Sequence, residues 1–362
     1  MKKIIFTVTN NLVFDQRMIR ICRSLSLHGY EVTLIGRKTP QLPPLQDENF
    51  KQYRLPCFFQ KGPFFYIEYN LRLFCWLLFQ PKSILCAIDL DTILPVYWIS
   101  RLKNTPRVYD AHELFCEMKE IATRPIIYKI WKAIEKHTVP HFNYGYTVNQ
   151  PIADEFKRMY HVHYEVIRNM PASSSLPIVE KKERFLIYQG AVNEGRSFET
   201  LLPAMQWVDV KLIICGEGNF LHQAKQLVQA LQLEEKVIFK GNIRPDELKT
   251  ITAAAWVGIT LFDARGMSNY YSLANRFFDY VQAGIPQLCV DYPVYRQLNN
   301  LYPVAVLVKD LSPASLSSHL NELLQQDALY FTLQEHCRDA STVWNWEKES
   351  QVLIQFYQQH FK

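Results

Sequence analysis

Apolar positions along the chain follow two periods. Short runs that are β-branched or apolar on both parities occur at Lys3–Thr9 (KIIFTVT), Glu31–Gly36 (EVTLIG), Ile84–Ile88, Arg107–Asp110 and Tyr144–Val148. They recur at Arg184–Gln189 (RFLIYQ), Val210–Cys215 (VKLIIC), Lys236–Lys240, Val257–Phe262, Gln287–Val290 and Val304–Val308. Strands covered by helices on both faces have this composition. Between the runs lie stretches of helical period, such as Gln16–His28 and Phe220–Leu231. The alternation predicts an α/β protein with two parallel sheets.

A length of 362 residues, at about 150 per domain, fits two domains. The boundary is marked by Ala172–Lys182 (ASSSLPIVEKK), which has three serines, a proline, charge and no periodicity. It predicts a linker near residues 171–183 between domains at 1–170 and 184–345. A last helix, 346–362, is expected to pack on either domain. The apolar fraction of 48% and charged fraction of 21% exclude disordered, collagenous and membrane-spanning classes. The most apolar stretch, Leu71–Phe79 (LRLFCWLLF), contains Arg72 and is far short of the ~20 residues that span a bilayer.

The net charge of +5 is unevenly placed. Residues 1–170 carry 23 Lys+Arg against 15 Asp+Glu (+8), and residues 171–362 carry 17 against 20 (−3). Two differently employed domains would show such a division. The eight cysteines form no CxxC pair, and the opening MKKIIFTVTN lacks the apolar core of a signal peptide. Both features lead to the expectation of a reducing, cytoplasmic setting.

In open parallel sheets, ligands bind beyond the carboxyl ends of strands, often at helix N-termini. Three segments have that position. After RFLIYQ comes Gly190-Ala-Val-Asn-Glu-Gly195-Arg196-Ser197, whose glycines allow close backbone approach and whose arginine supplies a cation. An ordinary strand-to-helix turn has the same composition. Ser268-Asn-Tyr-Tyr-Ser272 precedes LANRFFDYVQAGIP, in which Asn275, Arg276 and Asp279 are spaced to share the polar side of a first helical turn. A cation and an amide there suit a diphosphate, and a carboxylate one turn deeper suits sugar hydroxyls. A surface Arg276–Asp279 pair meets the same spacing. In the first half, Arg107-Val-Tyr-Asp110-Ala-His112-Glu113 crowds three titratable groups beyond a strand, either as a site or as a satisfied histidine in a polar loop. Asn10, Asn11, Asp15 and Arg17 follow the first strand and would line the same cleft. The pairs His137/His141 and His161/His163 lack a third ligand, so metal binding is not expected.

These segments together resemble bacterial group-1 glycosyltransferases of the GT-B fold, close to the large family 4. The likeness lies in DQRMIRICRSLSLHGYEVTLIGR (Asp15–Arg37), VYDAHELFCE (Val108–Glu117), YQGAVNEGRSFETLL (Tyr188–Leu202) and SLANRFFDYVQAGIPQL (Ser272–Leu288), taken in that order. The resemblance implies two Rossmann-like domains with parallel sheets facing across a cleft, the donor on the C-terminal one and the acceptor on the N-terminal one. It implies a hexosyltransferase-type enzyme that uses a nucleoside-diphosphate sugar and no cofactor.

Carried over by position, the resemblance makes His112 face the transferred sugar, with Asp110 and Glu113 beside it. Gly190, Arg196, Ser272, Asn275 and Arg276 would surround the diphosphate and sugar, and Asp279 would bind the ribose. Gly216, Lys240 and Asn242 would lie near the base, with Asn10, Asn11, Asp15 and Arg17 on the acceptor side. The family's glutamate pair, spaced eight apart, is incomplete: Asp279 takes the second place and Tyr271 the first.

Arg196, Arg276 and a helix N-terminus would meet the charge growing on the leaving diphosphate, which allows chemistry without a metal. Asp89-Leu-Asp91 has the DxD spelling, but in the N-terminal half. Retention of configuration is implied by the resemblance, and an inverting route with Glu113 or Asp110 as base stays open. The leading expectation is a transferase of cell-envelope polysaccharide synthesis acting on a glycan or lipid-linked acceptor. A nucleotide-sugar epimerase and a catalytically silent nucleotide-sugar-binding subunit are the alternatives. Pro63–Phe79 (PFFYIEYNLRLFCWLLF), in the basic half, would serve as core or as peripheral contact with an anionic inner membrane face. Nucleic-acid binding is not expected, since no reader motif is present.

Overall fold

A computed structural model describes residues 2–13, 15–39, 44–173, 183–264 and 266–361. Most of the expected linker, residues 174–182, lies outside the described residues. The chain divides into two compact units: Met1–Asn169 with Glu349–Lys362, and Met170–Lys348.

The first unit is built on a seven-stranded sheet ordered β3-β2-β1-β4-β5-β6-β7, parallel throughout. Its strands are β1 (Lys3–Thr7), β2 (Glu31–Lys38), β3 (Lys51–Pro56), β4 (Ile84–Ile88), β5 (Arg107–Ala111), β6 (Tyr144–Thr147) and β7 (Glu165–Val166). The central β4, ILCAI, is buried at every position, as expected of a strand covered on both faces. The edge strand β3, KQYRLP, is partly exposed throughout and carries too few apolar residues to be read from periodicity. Three helices matter below: α1 (Gln16–Leu27), α2 (Gly62–Leu78) and α3 (Ile93–Lys103). Asp15 caps α1 by accepting from Met18 N at 3.1 Å.

The second unit holds a six-stranded parallel sheet ordered β10-β9-β8-β11-β12-β13. The strands are β8 (Phe185–Gln189), β9 (Lys211–Cys215), β10 (Val237–Gly241), β11 (Val257–Thr260), β12 (Gln287–Val290) and β13 (Ala305–Val308). In each sheet the strand order reverses beside the first strand, between β1 and β4 and between β8 and β11. Loops leaving neighbouring strands part there and open a crevice at the carboxyl ends. The candidate segments that follow β1, β4, β5, β8 and β11 are therefore gathered at two such points, one in each unit.

Candidate functional site

In the first unit, the reversal point collects a charged cluster around His112. Arg17, near the start of α1, is only 4% exposed. Its Nη2 donates to Asp110 Oδ1 at 2.9 Å and its Nη1 to Ile167 O at 3.1 Å. The imidazole of His112 places Nε2 at 3.2 Å from Asp110 Oδ2 and Nδ1 at 3.4 Å from Asp89 Oδ2. Asp89 also accepts from the backbone N of His112 at 2.8 Å. Thr9, after β1, donates to the carboxylate of Asp91 across the same point. Glu113 is half-buried beside His112, and Asn10, exposed, donates to Asp15 Oδ2 at 3.0 Å. Asn11 accepts from Val13 N and shapes the loop after β1.

Burial opposes a charge on His112, but Asp89 and Asp110 outweigh it and raise the group to about 9. The cationic ring aims Nε2–H at Asp110 and Nδ1–H at Asp89. When the ring is neutral, Arg17 Nε, 3.0 Å away, donates to Nε2 instead. Burial also works against Asp110, yet Arg17 and His112 hold it below the usual carboxylate range. Burial raises Asp89 and Asp91 to about 6.

A pH dependence follows. His112 binds its proton more tightly folded than unfolded, so its contribution to stability is complete below about 6.5 and is lost as pH rises through about 9. We expect the urea midpoint to fall across that window in wild type and to stay level in His112→Gln. A wild-type profile without this slope would remove the assignment.

Asp89 is the residue that sequence reasoning missed. It stands at φ 52°, ψ 179°, outside the regions open to an ordinary side chain. Such strain persists where surrounding contacts fix it, and it gathers at functional sites. The contact with His112 depends on β4 lying beside β5, so only the DxD spelling was available to find it.

The second unit assembles the other segments around Arg276. Gly190 (φ 120°) and Gly216 (φ 144°) bring the loops after β8 and β9 into backbone contact. A Cβ on Gly216 would lie 1.9 Å from Gly190 O, so neither residue has an equivalent with a side chain. Lys240 and Asn242, both exposed, flank Gly241, whose carbonyl accepts from Gly216 N at 2.8 Å. Across the reversal point, Asp263 N donates to Gly195 O at 3.0 Å and fixes the Gly190–Ser197 loop against β11.

The helix Asn275–Gln282 begins later than its apolar pattern suggested, and the surface-pair reading of Arg276 is corrected by its burial at 8% exposure. Starting the helix at Asn275 leaves that residue exposed and turns the next one inward. The Arg276 guanidinium lies between the rings of Tyr188 (4.5 Å) and Phe262 (4.7 Å). Its Nη1 donates to Tyr188 Oη and Gln189 O, both at 3.3 Å, while Nε and Nη2 are buried with no hydrogen-bond partner. Arg196 stacks on the same Phe262 at 4.6 Å. Asp279 accepts from Gln189 Nε2 at 2.9 Å, so Gln189 links it to Arg276. Ser272 is half-buried and turned to Asn269 O, and Tyr271 lies against Tyr270 with ring centroids 5.3 Å apart. A buried, incompletely bonded guanidinium with a second one on a shared ring has donors that can receive an anion bearing several oxygens.

Two Rossmann-like units, each with a parallel sheet, have the GT-B architecture. Residues 175–343 match the family model described as glycosyl transferases group 1. The chain is similar to alpha-monoglucosyldiacylglycerol synthase of Streptococcus pneumoniae (strain ATCC BAA-255 / R6), with 26% identity over 104 residues. That match covers 27% of this chain and about a quarter (24%) of the synthase. In fold it is similar to sucrose-phosphate synthase of Thermosynechococcus elongatus, with a TM-score of 0.80, 17% identity and coverage of 100% and 99% of the two chains. It also resembles Anabaena HepE in complex with UDP and glucose, with a TM-score of 0.77, 11% identity and coverage of 99% and 100%.

Proposed function

We propose that this chain moves a sugar from a nucleoside-diphosphate sugar to a glycan or lipid-linked acceptor in cell-envelope polysaccharide synthesis. The observation that carries the reading is Arg276. A guanidinium taken out of water with two donor nitrogens unpaired costs free energy, and an arriving phosphate would offset that cost. HepE, of the same fold, holds UDP and glucose. The similar pneumococcal synthase is named for a glucosylated diacylglycerol, which accords with a lipid-linked acceptor.

In this reading Arg196, Arg276 and the N-terminus of the helix Asn275–Gln282 stabilise charge as the diphosphate departs. Gly190 admits the phosphates to close range, and Asn275, Ser272 and Tyr271 border the sugar. Asp279 takes the ribose hydroxyls, and Gly216, Lys240 and Asn242 border the base. His112 faces the transferred sugar with Asp110 and Glu113 beside it, and the reaction retains configuration without a metal. Asp89 and Arg17 orient His112 from behind. Asn10, Asn11 and Asp15 remain for the acceptor.

A peripheral contact with an anionic membrane belongs to the same proposal. Helix α2 is apolar on two sides: Phe65, Tyr69, Leu73 and Leu77 enter the core, and Phe64, Ile67, Leu71 and Leu78 are exposed. Pro63–Phe79 is thus half core and half outward-facing. Among the described residues no helix is long and apolar enough to cross a membrane. An exposed apolar stripe in a half of charge +8 suits a surface that lies on anionic lipid.

The test is a thermal-shift panel of nucleotide sugars, since a ligand of the folded state alone raises its melting temperature. One nucleotide family should stand out, and sugar release from that donor should be slowed about 100-fold or more in His112→Ala, with its thermal shift unchanged. No shift with any nucleotide sugar would sink the proposal. Isomerised donor formed without acceptor would establish the epimerase instead.

A further inference from the structure

At the amino ends of β5 and β6, a cavity of about 320 Å³ is lined in part by Ser100, Arg101, Thr105, Arg107, His141 and Tyr144. Its position is at the opposite end of β5 from Asp110 and His112, roughly 13 Å away along the strand. The cavity is therefore separate from the cluster described above.

Three basic side chains meet on one ring there. Arg101 and Arg107 lie 5.5 and 5.6 Å from the centroid of Tyr97, and His141 stacks on it at 5.4 Å. Both guanidiniums are held by neutral acceptors. Arg107 donates to His141 O (2.8 Å) and Ser100 Oγ (2.9 Å), and Arg101 to Tyr97 Oη (2.7 Å). Among the described residues neither arginine has a carboxylate partner. Burial, and then Arg107 and Arg101, depress His141, which marks the positive charge here as uncompensated. Thr105 Oγ1 adds a buried hydroxyl with no hydrogen-bond partner. Two uncompensated guanidiniums and a free hydroxyl in a concave wall are the donors a phosphate needs.

The rim indicates which phosphate. Lys103 Nζ bonds both Leu77 O and Gln80 O, which ties the end of α3 to the end of α2. Two strongly exposed apolar residues, Phe79 (84%) and Leu102 (66%), therefore stand at this end of the unit. They belong to a wider field. Of twenty exposed large apolar side chains among the described residues, eleven lie between Phe58 and Ile130, the stretch that supplies α2 and α3. A soluble phosphate ester has no use for such a rim, but a lipid whose headgroup fills the cavity does.

We propose that this cavity takes the phosphate of an anionic phospholipid, with Phe79 and Leu102 entering the acyl boundary beside it. The inference rests on the membrane contact proposed above and supplies its chemistry.

The test uses the full chain and vesicles of phosphatidylglycerol mixed with phosphatidylcholine, against phosphatidylcholine alone. Wild type should sediment with the anionic vesicles only. Arg101→Ala with Arg107→Ala should lower that partitioning roughly 30-fold, about the worth of two basic residues at an anionic surface. Since Arg107 also holds His141 O, Arg101→Glu alone is the second variant, and it should lose binding without a change in melting temperature. Phe79→Ser with Leu102→Ser should weaken vesicle binding but keep any perturbation of inorganic phosphate seen by ³¹P NMR. Arginine variants that sediment like wild type would overturn the cavity assignment and leave the membrane contact standing. Wild type bound to neither vesicle would overturn both. Inorganic phosphate bound by wild type and lost in Arg101→Ala/Arg107→Ala, without vesicle binding, would overturn the lipid in favour of a soluble phosphate ligand.

Discussion

Arg276→Met is expected to abolish measurable nucleoside-diphosphate binding while raising the melting temperature of the ligand-free protein. The two effects have one cause. In wild type Arg276 is 8% exposed, with Nε and Nη2 unbonded, and the compensation of its guanidinium comes from two aromatic rings and two neutral acceptors. Methionine fills the space between Tyr188 and Phe262 and keeps favourable sulfur–aromatic contact. It removes an ion whose desolvation is poorly met, a gain of about 1 kcal/mol or more. For a unit of this size that corresponds to a few degrees. Hydrogen bonds to a charged group contribute about 1.5–3 kcal/mol each, so losing two to a phosphate lowers affinity by 100-fold or more. Melting curves with and without UDP measure both quantities. A variant that melts earlier than wild type and still shifts with UDP would show that Arg276 is structural.

Arg17→Ala should be the most damaging single change in the first unit, lowering stability by about 3–5 kcal/mol, because it leaves the fully buried Asp110 carboxylate with His112 alone as counter-charge. Replacing both partners by apolar residues, Arg17→Met with Asp110→Leu, should recover much of that loss. Breaking one member of a buried pair leaves a charge behind, whereas removing both leaves none. The same variant reports on His112. Arg17 is among the groups that lower the His112 pKa, so its loss moves that group above about 9 and carries the pH window of stability upward. Urea titrations at several pH values follow both effects. An Arg17→Ala protein as stable as wild type, with an unmoved window, would mean that the pair is better solvated than its burial implies.

Strands buried on both faces were legible because their positions are apolar on both parities, Gln287 apart: Ile84–Ile88 and Gln287–Val290 coincide with β4 and β12. The edge strands β3 and β7 of the first sheet were not. Lys51–Pro56 pairs through its backbone with β2 on one side only, and its side chains meet too little core to select apolar residues. At the candidate site, Asp110, His112 and Arg276 were visible as chemistry at predicted strand ends and a helix start. Which side chains they pair with was not. Arg17 reaches Asp110, and Asp89 reaches His112, only because β1, β4 and β5 are adjacent, and sheet order is not written in local periodicity. Helical spacing alone placed Arg276 beside Asp279 on a polar side. The start of the helix at Asn275 sets the rotation that sends Arg276 inward, and Gln189, from β8, connects the two.

The assignment of Glu349–Lys362 to the first unit has a consequence for how the chain is made. Tyr357 packs edge-on against Phe6, Tyr30 and Tyr146, and it is fully buried, as are Leu353 and Phe356. The first unit, whose strands are made before those of the second, is thus completed after it, since its aromatic cluster waits for Tyr357. Until then the nascent chain holds a second unit with all its strands present and a first unit with an open apolar face. A chain ending at Lys348 should show early proteolytic cleavage within residues 2–169 while 183–348 resists, and uniform resistance would count against this order of assembly. Quality control acting on the finished first unit would therefore also register whether Glu349 and the residues after it had been made.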